Sequence, residues 1–167
     1  MAAAMGDLLY FEQHAFQFEN SLVILDIDGT IVPDCGRVVS AAVAERVLGL
    51  KALGNEVRLC SNSRRGNFAQ RLDAIAAQLD VGVCPVVFRK PSTLAISGVD
   101  RQGRALVVIG DKDLTDGLLA RRVGAQFIKV RRKLDRADRL SSRMANLIDL
   151  VFGPIAMLLW DTFCAPR

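Results

Sequence analysis

Short apolar runs alternate with segments of helical periodicity along most of this chain. Five such runs predict five strands, at Leu22–Leu25, Val57–Cys60, Val81–Phe88, Ala105–Ile109 and Gln126–Val130. Continuous apolar strands separated by helices are typical of a parallel sheet that is buried on both faces. The pattern therefore predicts an α/β fold of three layers, Rossmann-like, with a parallel sheet between two layers of helices.

The helical segments carry start and stop residues. Ser40 can cap a helix that runs to about Leu53, where Gly54 ends it. Apolar spacing and turn residues predict further helices over residues 1–18, from about Asn67 to Leu79, after Pro91, and from about Leu114 to Gly124. From Leu140 onward, apolar residues recur at amphipathic spacing, and Gly153-Pro154 is expected to interrupt that helix.

This pattern divides the chain into three segments. Residues 1–18 form an N-terminal helical segment, 19–131 the α/β domain, and 132–167 a basic, amphipathic tail. A length of 167 residues suits one domain with a single core. No run approaches the roughly 18–20 consecutive apolar residues of a spanning helix, and no signal sequence is recognisable, so a cytoplasmic protein is expected. Four scattered cysteines without CxxC spacing fit reduced, buried thiols.

The net charge of +4 is concentrated in the tail. Residues 131–143 contain six basic and two acidic side chains, so the remainder of the chain is neutral. A basic stretch beside an apolar helix face is typical of an anchor on an anionic membrane, here through residues 131–160. The alternative is a helix that packs on the domain or on a second copy in a homo-oligomer. No nucleic-acid partner is expected, because aromatic residues do not alternate with the arginines.

Polar residues follow the first four predicted strands. They are Asp26 and Asp28, then Ser61 and Asn62, then Lys90, and finally Asp111 and Asp116. Each alone fits a turn, a helix cap or a solvated side chain. The carboxyl ends of parallel strands meet at one edge of the sheet, and ligands bind there. Polar residues after four successive strands therefore predict one site. Asp113 lies in the last stretch and is expected to be solvated.

The residue types suit phosphoryl transfer. Asp26 can attack phosphorus and hold an acyl-phosphate. Asp28, two residues further on, points to the same side and can serve as acid and base. Gly29 permits the tight turn between them and the chain that follows.

A cation is needed where a phosphoryl group meets these carboxylates. Asp26, Asp111 and the carbonyl of Asp28 are hard oxygen ligands that suit Mg²⁺. Ser61, with Asn62 beside it, and Lys90 can bind the transferring oxygens.

These segments resemble the four motifs of the haloacid dehalogenase superfamily. The resemblance covers about Leu22 to Val130 and includes DIDGT at residues 26–30. It implies that Asp26 is the nucleophile, Asp28 the acid/base, Ser61 and Lys90 the phosphate binders, Asp111 a metal ligand, and Asp116 a support for the metal or for Lys90. The stretch from Thr30 to Ser61 leaves room for only a flap and one helix, and that from Ser61 to Lys90 for one helix and one strand, so no cap domain is expected.

The run GDKDLTDGLLARRVGAQFIKV, with FRKP before it, is most similar to the capless YqeG-type branch, subclass III, which includes phosphatidylglycerophosphate phosphatases. Gly29 and Ser63 stand where that branch usually has Asn. The resemblance implies a Mg²⁺-dependent phosphomonoester hydrolase acting on a phosphorylated lipid headgroup. A phosphatase for a soluble metabolite or sugar phosphate, made selective by oligomerisation, is one alternative, and a non-catalytic binding module on the same fold is another.

Overall fold

The computed structural model describes residues 8–62, 67–84, 88–136, 138 and 140–164. In this part of the chain the strands are β1 (Leu22–Leu25), β2 (Glu56–Leu59), β3 (Gly82–Val83), β4 (Leu106–Gly110) and β5 (Gln126–Lys129). The α-helices are α1 (Ala41–Ala52), α2 (Asn67–Leu79), α3 (Leu118–Val123) and α4 (Leu140–Leu159). Shorter helical turns lie at Phe11–Gln13, Thr93–Ile96, Asp113–Gly117 and Trp160–Cys164.

The strands form one parallel sheet in the order β3-β2-β1-β4-β5. In the centre, Leu22 of β1 is in register with Glu56 on one side and Leu106 on the other. The chain leaves β1 toward β2 and returns to add β4 on the opposite side of β1. The carboxyl ends of β1 and β4 therefore border the point where strand order reverses, which is where such sheets bind ligands.

Side chains of β1 alternate between two buried layers. Val23 and Leu25 pack in the cluster that includes α1 and α2 residues, whereas Leu22 and Ile24 pack with Ala120 of α3 on the other face. Because neither face is exposed to water, every position of this strand is apolar. The structure confirms the predicted α/β fold of three layers.

Helix ends follow the predicted signals. The Ser40 side chain accepts a hydrogen bond from the Val43 N–H at 3.4 Å, and α1 begins at Ala41, directly after Ser40. Gly124, at φ +66°, ends α3 in the left-handed conformation that costs glycine little.

The predicted N-terminal helix over 1–18 is wrong for the described residues 8–18. They contain a single helical turn, Phe11–Gln13, followed by extended chain. Phe11 is fully buried, and Phe16 and Phe18 pack against the same core. From His14 to Phe18 half-buried and exposed side chains alternate, with the period of two of an extended segment. Burial of aromatic residues therefore decides the conformation here.

Two other elements are shorter than expected. β3 contains Gly82–Val83 only, and Cys84 adds one more hydrogen bond to Leu59; residues 85–87 of the predicted strand lie outside the described residues. The helix expected after Pro91 is one turn, Thr93–Ile96. That turn is sufficient to bury Ala95 in the core and to pack Ile96 against it.

The C-terminal helix is longer than expected. Pro154 has no N–H to donate, yet α4 continues through it to Leu159, and helical chain extends to Cys164. The lost hydrogen bond is tolerated because domain contacts on both sides, at Asp149 and Asp161, hold the helix. The whole span, Leu140–Cys164, is long and apolar enough to cross a membrane by length and composition, with only 11% of its most apolar stretch buried.

The buried N-terminal segment yields the first prediction. Phe11→Ala should lower the free energy of unfolding by about 3–5 kcal/mol, because it removes a fully buried aromatic ring. Leu9→Ala, at a half-exposed position two residues away, should cost less than about 0.5 kcal/mol. Chemical denaturation of both variants measures the difference. Equal costs would show that the segment is not part of the core.

Candidate active site

A buried lysine lies at the centre of the carboxyl edge of the sheet. Lys90 Nζ donates to Asp26 Oδ1, after β1, and to Asp116 Oδ1, after β4, each at 2.5 Å. The Lys90 side chain is 2% exposed. Burial alone would lower the pKa of Lys90, but the carboxylates of Asp116 and Asp26 raise it well above its usual value. The ammonium group therefore remains charged.

The same charges act on Asp26. Burial would raise its pKa, but Lys90 and Lys112 outweigh that effect and hold the pKa below its ordinary value. Thr30 Oγ1 donates to the second oxygen, Asp26 Oδ2, at 3.1 Å. The carboxylate is thus ionised and fixed in orientation, as a nucleophile requires.

Asp26, Asp111 and Asp116 form an acidic cluster. Among the described residues, one oxygen from each carboxylate lies within 4.8 Å of the others. Asp111 Oδ1 is buried and has no hydrogen-bond partner in this part of the chain. Burial, together with repulsion from Asp26 and Asp116, raises the pKa of Asp111 to about 7, against the attraction of Lys112 and Arg132. Converging hard oxygens with an unsatisfied atom fit a small divalent cation.

Arg132 completes this cluster, although its position in the sequence places it in the basic tail. Its Nη1 donates to Asp111 Oδ2 at 2.5 Å, and its side chain is buried. The guanidinium lies directly over Gly29, where φ is +88°; a Cβ there would collide with Arg132 and lie 2.6 Å from Asp111 Oδ2. Gly29 therefore provides space for an ion pair as well as the turn expected of it.

The neighbouring cations are also used by the fold. Lys133 donates its backbone N–H to the Gly29 carbonyl at 2.7 Å and pairs with Glu12 at 2.5 Å. The Arg131 guanidinium lies 5.0 Å from the centre of the Tyr10 ring. The first three charges of the basic stretch are thus committed to intramolecular contacts, and Arg139 lies outside the described residues.

Among the described residues, Asp28 is held by three groups outside the acidic cluster, one of which is the Cys35 N–H that donates to Oδ1 at 3.2 Å. Arg71 Nη2 donates to Asp28 Oδ1 at 2.7 Å and Nη1 to Oδ2 at 3.3 Å, while Ser61 Oγ donates to Oδ2 at 3.3 Å. Arg71 comes from α2, is buried, and is fixed by a 2.6 Å bond from Nε to the Gly36 carbonyl. Sequence reasoning missed Arg71, because no local pattern separates it from the other polar residues of α2.

Asn62, a predicted phosphate binder, uses its side chain to hold the Lys90 backbone. The Lys90 N–H donates to Asn62 Oδ1 at 2.7 Å, and Asn62 Nδ2 donates to the Lys90 carbonyl at 3.1 Å. Ser63, the next residue of that motif, lies outside the described residues. The structure thus brings Asp26, Asp28, Ser61, Asn62, Lys90, Asp111 and Asp116 together, as the strand ends predict.

Asp113 is not solvated, contrary to expectation. It is buried, and its Oδ2 accepts a hydrogen bond from Lys129 Nζ at 2.5 Å. Lys129 lies on β5, which neighbours β4 in the sheet. The pairing of β4 with β5 brings the two residues together, and a local sequence pattern does not predict that pairing.

The fold and site define an α/β protein with an acidic, lysine-centred cluster at the switch point of its sheet. No family model and no curated protein matches the chain. It is similar to a chain of the Pnkp1/Rnl/Hen1 RNA repair complex, with a TM-score of 0.50 and 19% identity over 77% of this chain and 47% of that one. A second structure, of the Pnkp1/Rnl/Hen1 complex, has a TM-score of 0.48 and 14% identity, and the match covers 76% of this chain and 51% of that one.

This chain therefore spans about half the length of the solved chains it resembles. At such low identity the likeness shows the fold alone.

If the acidic cluster binds Mg²⁺, the raised pKa of Asp111 predicts that this binding depends on pH. The metal-free protein keeps the Asp111 proton up to a pH of about 7, whereas an ordinary Asp loses it near 3.8. Because binding must displace that proton, the Mg²⁺ concentration for half-maximal thermal stabilisation should rise about tenfold for each pH unit below 7. Thermal unfolding across Mg²⁺ titrations measures this, and Asp111→Asn should lose the dependence. A midpoint that stays constant from about pH 7.5 to 5.5 would contradict it.

Proposed function

We propose that this protein is a phosphomonoester hydrolase of the haloacid dehalogenase type, which works through an acyl-phosphate intermediate on Asp26. The observation that carries the proposal is the contact of one buried lysine with two carboxylates, Asp26 and Asp116, beside Asp111. An ionised carboxylate next to a fixed ammonium group can approach a phosphoryl group whose charge would otherwise repel it.

The chain's own residues account for both half-reactions. A carboxylate oxygen of Asp26 attacks phosphorus, and the bond to the ester oxygen breaks as protonated Asp28 donates its proton to that oxygen. Asp28, now ionised and stabilised by Arg71, takes a proton from water. The resulting hydroxide attacks phosphorus, releasing inorganic phosphate and free Asp26.

The remaining groups bind and orient. Lys90 neutralises charge on the transferring oxygens, and Ser61 lies beside Asp28 to donate to them. Asp26 and Asp111, with the Asp28 backbone, would hold Mg²⁺, which supplies additional charge stabilisation when bound. Asp116 supports Lys90 directly, through its 2.5 Å ion pair.

The proposal predicts that hydrolysis of an aryl phosphate requires Mg²⁺ and stops in Asp26→Asn, because an amide cannot serve as the nucleophile. Activity within about tenfold of wild type, a barrier change of only ~1.4 kcal/mol, would contradict the role of Asp26. Asp28→Asn should lose activity more on alkyl than on aryl phosphates, because a good leaving group needs less protonation. Steady-state kinetics with EDTA and Mg²⁺ controls provide both measurements.

A phosphorylated lipid headgroup is the substrate that the surface favours. α4 lies along the domain, with Ser142 bonded to Asp34 at 2.6 Å near one end and Asp161 paired with Arg121 at 2.8 Å near the other. A helix attached to one domain along its length lies in the plane of a membrane more readily than across it. Its opposite side exposes large apolar side chains, including Val151, Phe152, Ile155, Leu158 and Leu159.

Other occupants of that surface correspond to the alternative functions. A second copy would fit a phosphatase for a soluble metabolite, with the partner restricting access to the site. A binding module on the same fold would lack turnover, which the Asp26→Asn comparison tests. Fewer basic side chains are available to bind an anionic membrane than the sequence suggests, because Arg132 and Lys133 form ion pairs within the fold.

If α4 contacts a membrane, a triple substitution of Val151, Ile155 and Leu158 by Gln should reduce sedimentation with vesicles of phosphatidylcholine and phosphatidylglycerol. Activity on a soluble aryl phosphate should be retained, because these half-exposed side chains lie outside the site. Replacing Val38 and Leu48 by Gln is the control, because these apolar side chains are also exposed, at 79% and 64%, but lie elsewhere on the surface. Absence of wild-type binding, with a dimer that the triple variant abolishes, would favour a second copy.

A further inference from the structure

Asp149, in the middle of α4, is a buried carboxylate with a specific pair of partners. Its Oδ2 accepts the backbone N–H of Asp113 at 3.1 Å, and its Oδ1 accepts that of Leu114 at 2.7 Å. The residue is 4% exposed. Its carboxylate therefore spans two successive amides at the start of the helical turn Asp113–Gly117, which lies 35 residues earlier in the chain.

The turn needs such a partner. The first N–H groups of any helical segment lack acceptors within it. Here the Lys112 carbonyl accepts from Asp116 N at 3.0 Å and from Gly117 N at 3.1 Å, so the intervening amides of Asp113 and Leu114 depend on Asp149. A carboxylate is a strong acceptor for them, because bonds to an ionised group are shorter and stronger than neutral ones.

Close packing fixes the same contact. Gly153, one turn after Asp149, lies against Asp113: a Cβ at Gly153 would be 2.7 Å from Asp113 Cβ and 3.0 Å from its Oδ2. On its other side, Asp113 is paired with Lys129 of β5 at 2.5 Å. The turn is thus held between the sheet edge and α4.

The position of this turn sets the geometry of the acidic cluster. Asp111 lies two residues before it, and Asp116 lies within it. Asp116 packs so closely on Gly110 that a Cβ there would collide with its carboxylate. A shift of the turn would therefore move Asp116 relative to both Lys90 and Asp111.

We propose that Asp149 is a positioning residue for the cation site, and that α4 is part of the catalytic apparatus through it. The inference rests on the proposed function, since it concerns the cation that Asp26 and Asp111 would hold. Partners that orient metal ligands typically affect metal affinity by about 10- to 100-fold when removed. Asp149 does not contact the proposed metal ligands themselves. It holds the backbone segment that carries Asp111 and Asp116, two of the three clustered carboxylates.

The test compares Asp149→Ala and Asp149→Asn with Asp161→Asn in the full chain. Asp161 anchors the same helix through an exposed ion pair with Arg121, so its removal loosens α4 without touching the turn. The measurements are thermal stability in EDTA, the Mg²⁺ concentration for half-maximal thermal stabilisation, and kcat and KM for an aryl phosphate.

Asp149→Ala should raise the Mg²⁺ midpoint at least about tenfold. Asp149→Asn should have a smaller effect, because its amide oxygen can still accept one of the two bonds. Asp161→Asn should leave the midpoint unchanged. At saturating Mg²⁺, KM should stay near wild type in all three, since none of these residues touches the phosphate site.

A lower melting temperature with an unchanged Mg²⁺ midpoint in both Asp149 variants would reduce Asp149 to a structural anchor and overturn the inference. If Asp149→Ala does not fold, the test is the difference in Mg²⁺ midpoint between Asp149→Asn and Asp161→Asn. Failure of the proposed function is a separate result: the wild type would show no Mg²⁺ stabilisation, or Asp26→Asn would remain active. Wild-type Mg²⁺ dependence with an inactive Asp26→Asn, but normal Asp149 variants, would refute this inference alone.

Discussion

The contact of Lys90 with Asp26 and Asp116 is the interaction on which the rest of the site depends. A buried ammonium group is stable only where carboxylates compensate its lost hydration, and here two of them approach it to 2.5 Å. Each carboxylate follows a different strand, so the ion pairs require the central strands to be in register. Removing Lys90 would leave two buried carboxylates without this compensation, which is costlier than the absence of the whole set.

Negative charge is in excess among the groups that meet at this site. Within the described residues, three clustered carboxylates are in direct contact with two cationic side chains, Lys90 and Arg132. Burial is the main cause of the raised pKa of Asp111, and repulsion from Asp26 and Asp116 adds to it. Magnesium at the site that we propose would reduce this excess of negative charge.

Residues distant in the chain support this cluster from both sides. Arg71 on α2 holds Asp28, Arg132 after β5 covers Gly29, and Asp149 on α4 holds the turn that contains Asp116. A division of the chain at residue 131 separates segments that touch at the site. The tail is consequently both a surface, through its exposed apolar face, and a support for the acidic turn, through the narrow stripe that includes Asp149 and Gly153.

The sequence by itself determined the elements whose signals are local. Continuous apolar runs identified β1 and β4, which are buried on both faces and have no polar positions. The runs also located β2 and β5, although these strands contain the polar residues Glu56, Arg58, Gln126 and Lys129. Ser40 and Gly124 marked helix ends, because capping depends on the cap residue and its immediate neighbours. The seven predicted site residues lie close together because the carboxyl ends of parallel strands converge at one edge.

Only the tertiary structure decided which charges meet. Asp113 and Arg132 were expected in solvent or in a basic tail, and strand pairing and the path of residues 131–133 bury them instead. The N-terminal segment is mostly extended because Phe11 and Phe16 pack against a core formed by later residues. The helix α4 passes through Pro154 because domain contacts on either side outweigh one missing hydrogen bond. These outcomes depend on partners tens of residues away, and local periodicity contains no information about such partners.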